Sequence, residues 1–403
     1  MTAYSVWPYF VVMALLLALV ACPLFSAADV PPNPKGPRIS TLDGLRGFLA
    51  LGVFFNHAAI YHGYLSGEAW QLPPSQFYTL LGQVGVAVFF MITGFLFWSR
   101  LIKEKGRPDW LQLYVGRIFR IGPLYLFVTV CALAIVFTRQ NFQINVPLFQ
   151  LARELGRWLA LGLLNLRDIN GYHDASTVLA DVTWSLRYEW LFYLSLPLLA
   201  IPASQAKFHL PFAVAALAIS LGYLVAFNRP AITAPDSVCV ALFLVGMTCG
   251  SLARNGLGAR ISDPIASVLV AILICTVFVA FDSSHNAGAT LLLGIAFYLI
   301  ASGCSFFGLL TSRPARRLGD VSYGIYLLQG LVFTAAFAVQ PVRDFALASG
   351  LGHWCIVLLC GALLIAAATA VHVGIERTGI ELGKRVGNAL RAPTQPSGAA
   401  PLP

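Results

Sequence analysis

Arg46 and His57 are two ionisable side chains inside one apolar stretch, Leu42 to Ile60. They stand eleven residues apart. At about 3.6 residues per turn that is close to three whole turns, so both share one face of a helix, roughly 16 Å apart along its axis. An ionisable group inside a membrane-spanning helix is costly and faces a partner or a wet cavity. Two on one face predict a polar path through a membrane. Imidazole is the side chain best suited to accept and release a proton near neutral pH.

A third ionisable residue, Glu189, follows Thr183 in another apolar stretch. Glu189 lies about two turns into its span and His57 about one and a half turns from the outer end of its own, so the two reach similar depth. A carboxylate there can orient an imidazole or hold a substrate hydroxyl. Asp43 precedes Arg46 by three residues and can pair with it along the helix. Arg117 and Arg120, three positions apart at the mouth of a further span, share a face and can fork around phosphate. Asp320, Ser322, Tyr323 and Gln329 are further polar positions with less to say.

The elements that carry these residues are membrane helices. Of the 403 residues 58% are hydrophobic and only 11% charged, and the mean hydropathy is +0.77. A soluble chain would carry about 25% charge. Apolar runs predict eleven spans, at 6–27, 42–62, 78–99, 120–138, 183–202, 208–227, 237–253, 264–281, 287–309, 321–340 and 350–373. Alternate loops hold eighteen and seven Lys and Arg residues. The richer set belongs in the cytoplasm by the positive-inside tendency, which puts the N-terminus outside and the C-terminus inside. Residues 1–10 hold no Lys or Arg, so the first span is expected to be retained rather than cleaved as a signal peptide.

The net charge of +9 collects in short loops and fits anionic headgroups better than nucleic acid. Eight scattered cysteines, without a Cys-x-x-Cys or a Cys/His cluster, indicate neither a metal site nor a disulfide framework. Residues 139–182 form a long outer segment in which Pro147 opens an interfacial helix, followed by a polar loop with Asp168, Tyr172 and Asp181. The tail 386–403 turns Pro-, Gly-, Ser- and Ala-rich from Ala392 and should be disordered.

Five stretches, in order, resemble the acyltransferase 3 family of integral-membrane O-acyltransferases. Thr41-Leu42-Asp43-Gly44-Leu45-Arg46-Gly47 leads to His57 with ten residues between the arginine and the histidine. Gly85 to Phe95 is similar to the second-helix signature, and Arg117, Arg120 and Pro123-Leu124-Tyr125 to the paired-arginine motif. Trp184-Ser185-Leu186-Arg187-Tyr188-Glu189 with Phe192-Tyr193 and Pro197, and Leu318 to Leu327, complete the set. Thr93 stands where Ser is common, Gln329 where His often stands, and Thr378 where Pro is usual.

The resemblance covers about Thr41 to Glu376. It implies an all-α polytopic bundle with a ten-helix core in residues 35–385, preceded by an extra N-terminal span in 1–34. It implies acyl-coenzyme A, acetyl first, as cytoplasmic donor and a carbohydrate or glycolipid acceptor outside, in a bacterial inner membrane and without a metal. His57 would be the base or a transient acyl carrier, with Glu189, Arg46 and Asp43 around it. Arg117, Arg120 and Tyr125 would hold the donor, and Trp184, Asp181 and Tyr172 would meet the acceptor. A transporter or flippase using the Arg46, His57 and Glu189 path is the alternative from another class.

Overall fold

The computed structural model describes residues 2–29, 39–227, 235–256 and 261–391. Among them are fifteen α-helices and no strand. They are α1 (Trp7–Ala21), α2 (Ser40–Leu65), α3 (Gln76–Lys103), α4 (Trp110–Arg139), α5 (Leu148–Trp158), α6 (Trp184–Ala203), α7 (His209–Ala226) and α8 (Pro235–Arg254). The second half holds α9 (Asp263–Ala280), α10 (Ala287–Ala301), α11 (Arg313–Asp320), α12 (Ser322–Phe337), α13 (Gln340–Ala348), α14 (Gly350–Val371) and α15 (Arg377–Ala389).

Every predicted span contains a helix. Six stretches are long and apolar enough to cross a membrane: α3, α4, α7, α8, α9 and the run from α14 into α15. The α11–α12 pair, bent by 69°, makes a seventh if taken as one crossing, and α1 and α10 are apolar but only 15 residues long. The remaining two, α2 and α6, carry the ionisable residues Asp43, Arg46, Arg187 and Glu189. The chain is an all-α membrane helix bundle and an integral membrane protein. Two boundaries differ from expectation. The helix of the paired arginines starts at Trp110, where the Asp109 carboxylate caps it by accepting from Gln112 N at 2.9 Å, so Arg117 and Arg120 lie inside a helix and not at its start. At the other end α15 continues to Ala389, and residues 392–403 of the expected tail lie outside the described residues.

Helix α2 is the hub, packed on α3, α11 and α12 and touching α10, α13 and α14. Small residues let it approach so closely, since van der Waals packing rather than hydrophobicity joins helices in lipid. A Cβ on Gly319 of α11 would sit 1.8 Å from the Asp43 carbonyl oxygen, and one on Gly44 would sit 1.9 Å from that of Leu310. Both obstacles are backbone and cannot rotate away. Gly319→Ala is expected to lower stability by about 1–3 kcal/mol in thermal unfolding of the purified protein. Gly116→Ala on α4, where nothing lies within 4 Å, should change it little or raise it.

Helix α1 is tied to this core by one buried guanidinium. Arg317 of α11, 1% exposed, donates to the Val20 carbonyl at 2.7 Å and the Cys22 carbonyl at 2.9 Å, closing the open end of α1. Its Nε donates to Asp29 at 2.7 Å, and Arg313 reaches the same carboxylate at 2.9 Å. These two arginines hold Asp29 down to about 2, from 3.8. The folded-state value is lowered, so the contribution is complete above the ordinary value and disappears as the pH falls from about 4 toward 2. Melting followed through that window should fall more steeply for the wild type than for Asp29→Asn.

The outer segment folds on itself. Pro147 caps α5, as its position predicts. Fully buried Asn170 donates to Gln140 Oε1 and the Gln143 carbonyl, both at 2.7 Å, and accepts from Asn145 N at 2.8 Å. The following 3₁₀ turn, Ala175–Leu179, packs on α12 and receives the Tyr61 hydroxyl of α2 at the Thr177 carbonyl, 3.1 Å away.

Candidate active site

Helices α2, α3, α4, α6 and α12 enclose a cavity of about 170 Å³. Its polar wall consists of Arg46, Arg117, Arg120, Glu189, Tyr193, Tyr323 and Tyr326, with Thr93, Ser185 and Ser322, and its apolar wall includes Phe89, Phe90 and Phe97. Six of the residues singled out from sequence, Arg46, Arg117, Arg120, Glu189, Ser322 and Tyr323, on four separate helices, thus meet in one place. Arg117 lies over the Phe97 ring at 5.2 Å, and Arg120 over Tyr323 at 5.7 Å. Each guanidinium thus has an aromatic ring beneath it, a cation–π contact that helps fix its position. Arg46 has Arg120, Asp43, Glu189 and Glu376 as its near charges. Asp43 therefore sits by Arg46 as its spacing predicts, outside the cavity wall.

Glu189 accepts from the Tyr193 hydroxyl one turn on, and that phenol also faces Arg117. Arg120 donates to Glu376 Oε2 at 2.9 Å. Glu376 is 1% exposed and lies in a single π-helical turn, His372–Glu376, between α14 and α15. The wider turn brings His372 Nδ1 to the same carboxylate oxygen at 3.3 Å; such turns recur at functional sites. The cavity wall itself carries three guanidinium groups against the one carboxylate of Glu189, with Glu376 and Asp43 behind it, and guanidinium groups so placed can take a phosphorylated ligand.

His57 lies beyond the cavity, outside its wall. Its Nδ1 is 3.0 Å from the Val53 carbonyl and 3.2 Å from Gln329 Oε1. The Gln329 amide is oriented by its own Nε2, which donates to the Tyr326 carbonyl at 2.9 Å. Both Nδ1 neighbours are acceptors, so Nδ1 carries the hydrogen, and in the uncharged ring Nε2 is the basic nitrogen. The ring is aimed by its neighbours. Its side-chain partner is Gln329 of α12, while Glu189 is engaged with Tyr193. Tyr326 lines the cavity and donates to the Val182 carbonyl at 3.0 Å, beside the Ser185 hydroxyl at 2.8 Å. Gln329 thus links the imidazole to α12, whose Tyr323 and Tyr326 line the arginine-bearing cavity, while Arg46 stands about three turns of α2 from His57. On its other side His57 stacks with Trp70 at 6.3 Å between ring centroids.

The remaining sequence candidates scatter. Tyr125 is buried and donates to the Trp158 carbonyl at 3.0 Å, away from the cavity. Trp184 packs on Phe90, a cavity residue, at 6.4 Å between ring centroids. Asp181 is exposed at the head of α6, and the Tyr172 hydroxyl accepts from Arg139 at 2.8 Å on the outer segment. The sequence reading missed Glu376, Tyr193, Tyr326 and Trp70 as neighbours of the site and ranked Gln329 low. A polar residue within an apolar run signals Gln329 and Glu376; nothing signals Trp70.

Three curated proteins share parts of this sequence. The acyltransferase MdmB of Streptomyces mycarofaciens is 30% identical over 170 residues, 41% of this chain and 40% of that protein. Nodulation protein 10 of Rhizobium leguminosarum bv. viciae is 30% identical over 172 residues, 40% of this chain and 44% of that protein. The putative peptidoglycan O-acetyltransferase YrhL of Bacillus subtilis (strain 168) is 25% identical over 367 residues, 83% of this chain and 54% of that protein. The chain thus spans about half the length, or less, of these relatives. No solved structure matches. A family model described as an acyltransferase domain matches residues 39–372, from the start of α2 to the turn beside Glu376. With residues of all five stretches, Arg46, Thr93, Arg117, Arg120, Glu189 and Tyr323 among them, lining one cavity, this chain belongs to the acyltransferase 3 family of membrane enzymes.

Proposed function

We propose that the protein transfers an acyl group, acetyl first, from acyl-coenzyme A to a hydroxyl of an extracytoplasmic or lipid-linked carbohydrate. It works in the bacterial inner membrane, with its N-terminus outside and its C-terminus in the cytoplasm. Arg117, Arg120 and Arg46 take the negative end of the donor, whose thioester reaches past Tyr326 toward His57. Nε2 of His57 accepts the hydroxyl proton as the acceptor oxygen attacks the thioester carbonyl. The carbon–sulfur bond breaks, the proton passes to the departing thiolate, and the products are the ester and the free thiol. Gln329 and the Val53 carbonyl steady the imidazolium meanwhile. Trp70, stacked on His57, offers an apolar face to a sugar ring.

The observation that carries this reading is His57 with its Nδ1 engaged by Val53 and Gln329, on the same helix as Arg46 of the three-arginine cavity. The relative whose printed name is a putative peptidoglycan O-acetyltransferase supports the ester chemistry and an envelope glycan. The test is purified protein with acetyl-labelled acetyl-coenzyme A and envelope glycans, following free thiol and glycan-bound label together. Equal release of thiol and transfer of label is expected. Absence of both, with a solute carried across reconstituted vesicles, overturns the reading. Arg117→Ala should raise KM for the donor by roughly tenfold with kcat little changed, the signature of lost uniform binding.

A further inference from the structure

A second cleft, of about 380 Å³, runs between α6 and α8 on the side of α6 turned away from the cavity. Its polar end is formed where both helices begin, by Arg187, Tyr188 and Asp236. From there it is lined by Leu191, Phe192, Leu199, Val240, Leu244 and Met247. Leu191 and Val240 are 51% and 53% exposed, so the cleft opens on the lipid-facing flank. The Tyr188 hydroxyl donates to Asp236, which engages that carboxylate. Arg187 is exposed and has no ion-pair partner among the described residues.

Only one aromatic layer divides cleft from cavity. Phe192 stacks on Phe243 at 4.3 Å between centroids, and Phe243 meets the cavity residue Phe90 at 4.9 Å. Arg187 is two residues from Glu189, so the two heads lie at one level of α6 on different sides.

We propose that this cleft seats the hydrocarbon chain of a lipid-anchored acceptor whose phosphate is held by Arg187. The inference rests on the acyl-transfer reading and narrows its acceptor to a long-chain lipid phosphate bearing the sugar. An open apolar trough at the bilayer gives a water-soluble ligand nothing to bind, whereas a chain fills it. Arg187, without an ion-pair partner among the described residues, is free to receive an anion at the polar end of the trough, and phosphate accepts its fork at two oxygens. A head group placed there lies about one turn of α6 from Trp184, which packs on the cavity residue Phe90.

The test uses the full chain in phosphatidylcholine vesicles with a diazirine-bearing polyprenyl phosphate as probe. After illumination, label is expected on the 187–199 and 236–247 segments, competed by unlabelled polyprenyl phosphate but not by equimolar phosphatidylglycerol. Arg187→Ala and Leu191→Trp should each reduce labelling about tenfold, with donor binding, measured on the same preparations, retained. Label spread evenly over α7 and α9, label displaced by phosphatidylglycerol, or label unchanged in both variants overturns the proposal. Thiol release from acetyl-coenzyme A is read in parallel. Release without cleft labelling sinks the cleft alone, and labelling without release sinks the acyl-transfer reading while the lipid site stands.

Discussion

His57→Ala reduces acyl transfer by about 10²- to 10⁴-fold, the range for loss of a general base, and the protein stays in the membrane. The imidazole contacts a carbonyl of its own helix and one amide, so its removal leaves Gln329 Oε1 without that partner. An unsatisfied acceptor costs about 1–3 kcal/mol, too little to unfold a bundle of this size. Gln329→Ala is a different lesion. It keeps the base and frees its ring, so the rate falls less and the pH profile of the reaction changes. A His57→Ala protein with wild-type turnover would place the base elsewhere.

The largest expected loss of stability is at Glu376→Ala. The carboxylate is the 2.9 Å partner of Arg120 and lies inside the protein. Removing one member of a buried pair strands the other charge, at about 3–5 kcal/mol. Yield and melting temperature should both fall, and Arg120→Ala combined with Glu376→Ala should recover part of the loss because both charges then vanish. That non-additivity is the signature of direct coupling. The double variant should still use donor poorly, since one of three arginines is gone. If Glu376→Ala melts with the wild type, Arg120 is not held by this carboxylate.

What could be read from the sequence followed from one-dimensional patterns. Apolar runs located a helix for every span, because lipid demands a helix wherever the chain crosses it. Residue spacing put Arg46 and His57 on one face, and Pro147 at the head of α5. Azimuth and partner were not legible. His57 and Glu189 were expected at similar depth, yet Glu189 shares the cavity with Arg46, about three turns of α2 from His57, and the imidazole bonds to Gln329, 272 residues on. Arg120 finds Glu376 256 residues away, through a π-helical turn that no apolar period announces. The 69° bend between α11 and α12 was likewise not legible, and the contacts beside it, Gly319 on Asp43 and Arg317 on α1, join residues far apart in the chain. Tyr125 carried a motif position into the packed core, where its hydroxyl serves the Trp158 carbonyl.

Photolabelling with an acyl-coenzyme A whose acyl group bears a diazirine tests the central claim most directly. That claim is that the donor's thioester passes through the arginine-lined cavity to an imidazole already set to accept a proton. Label on α3 between Phe89 and Phe97 and on α12 at Tyr323, Tyr326 or Gln329, competed by acetyl-coenzyme A and weakened by Arg117→Ala, is the predicted result. Label confined to residues outside those two stretches, or indifferent to competitor, would contradict it.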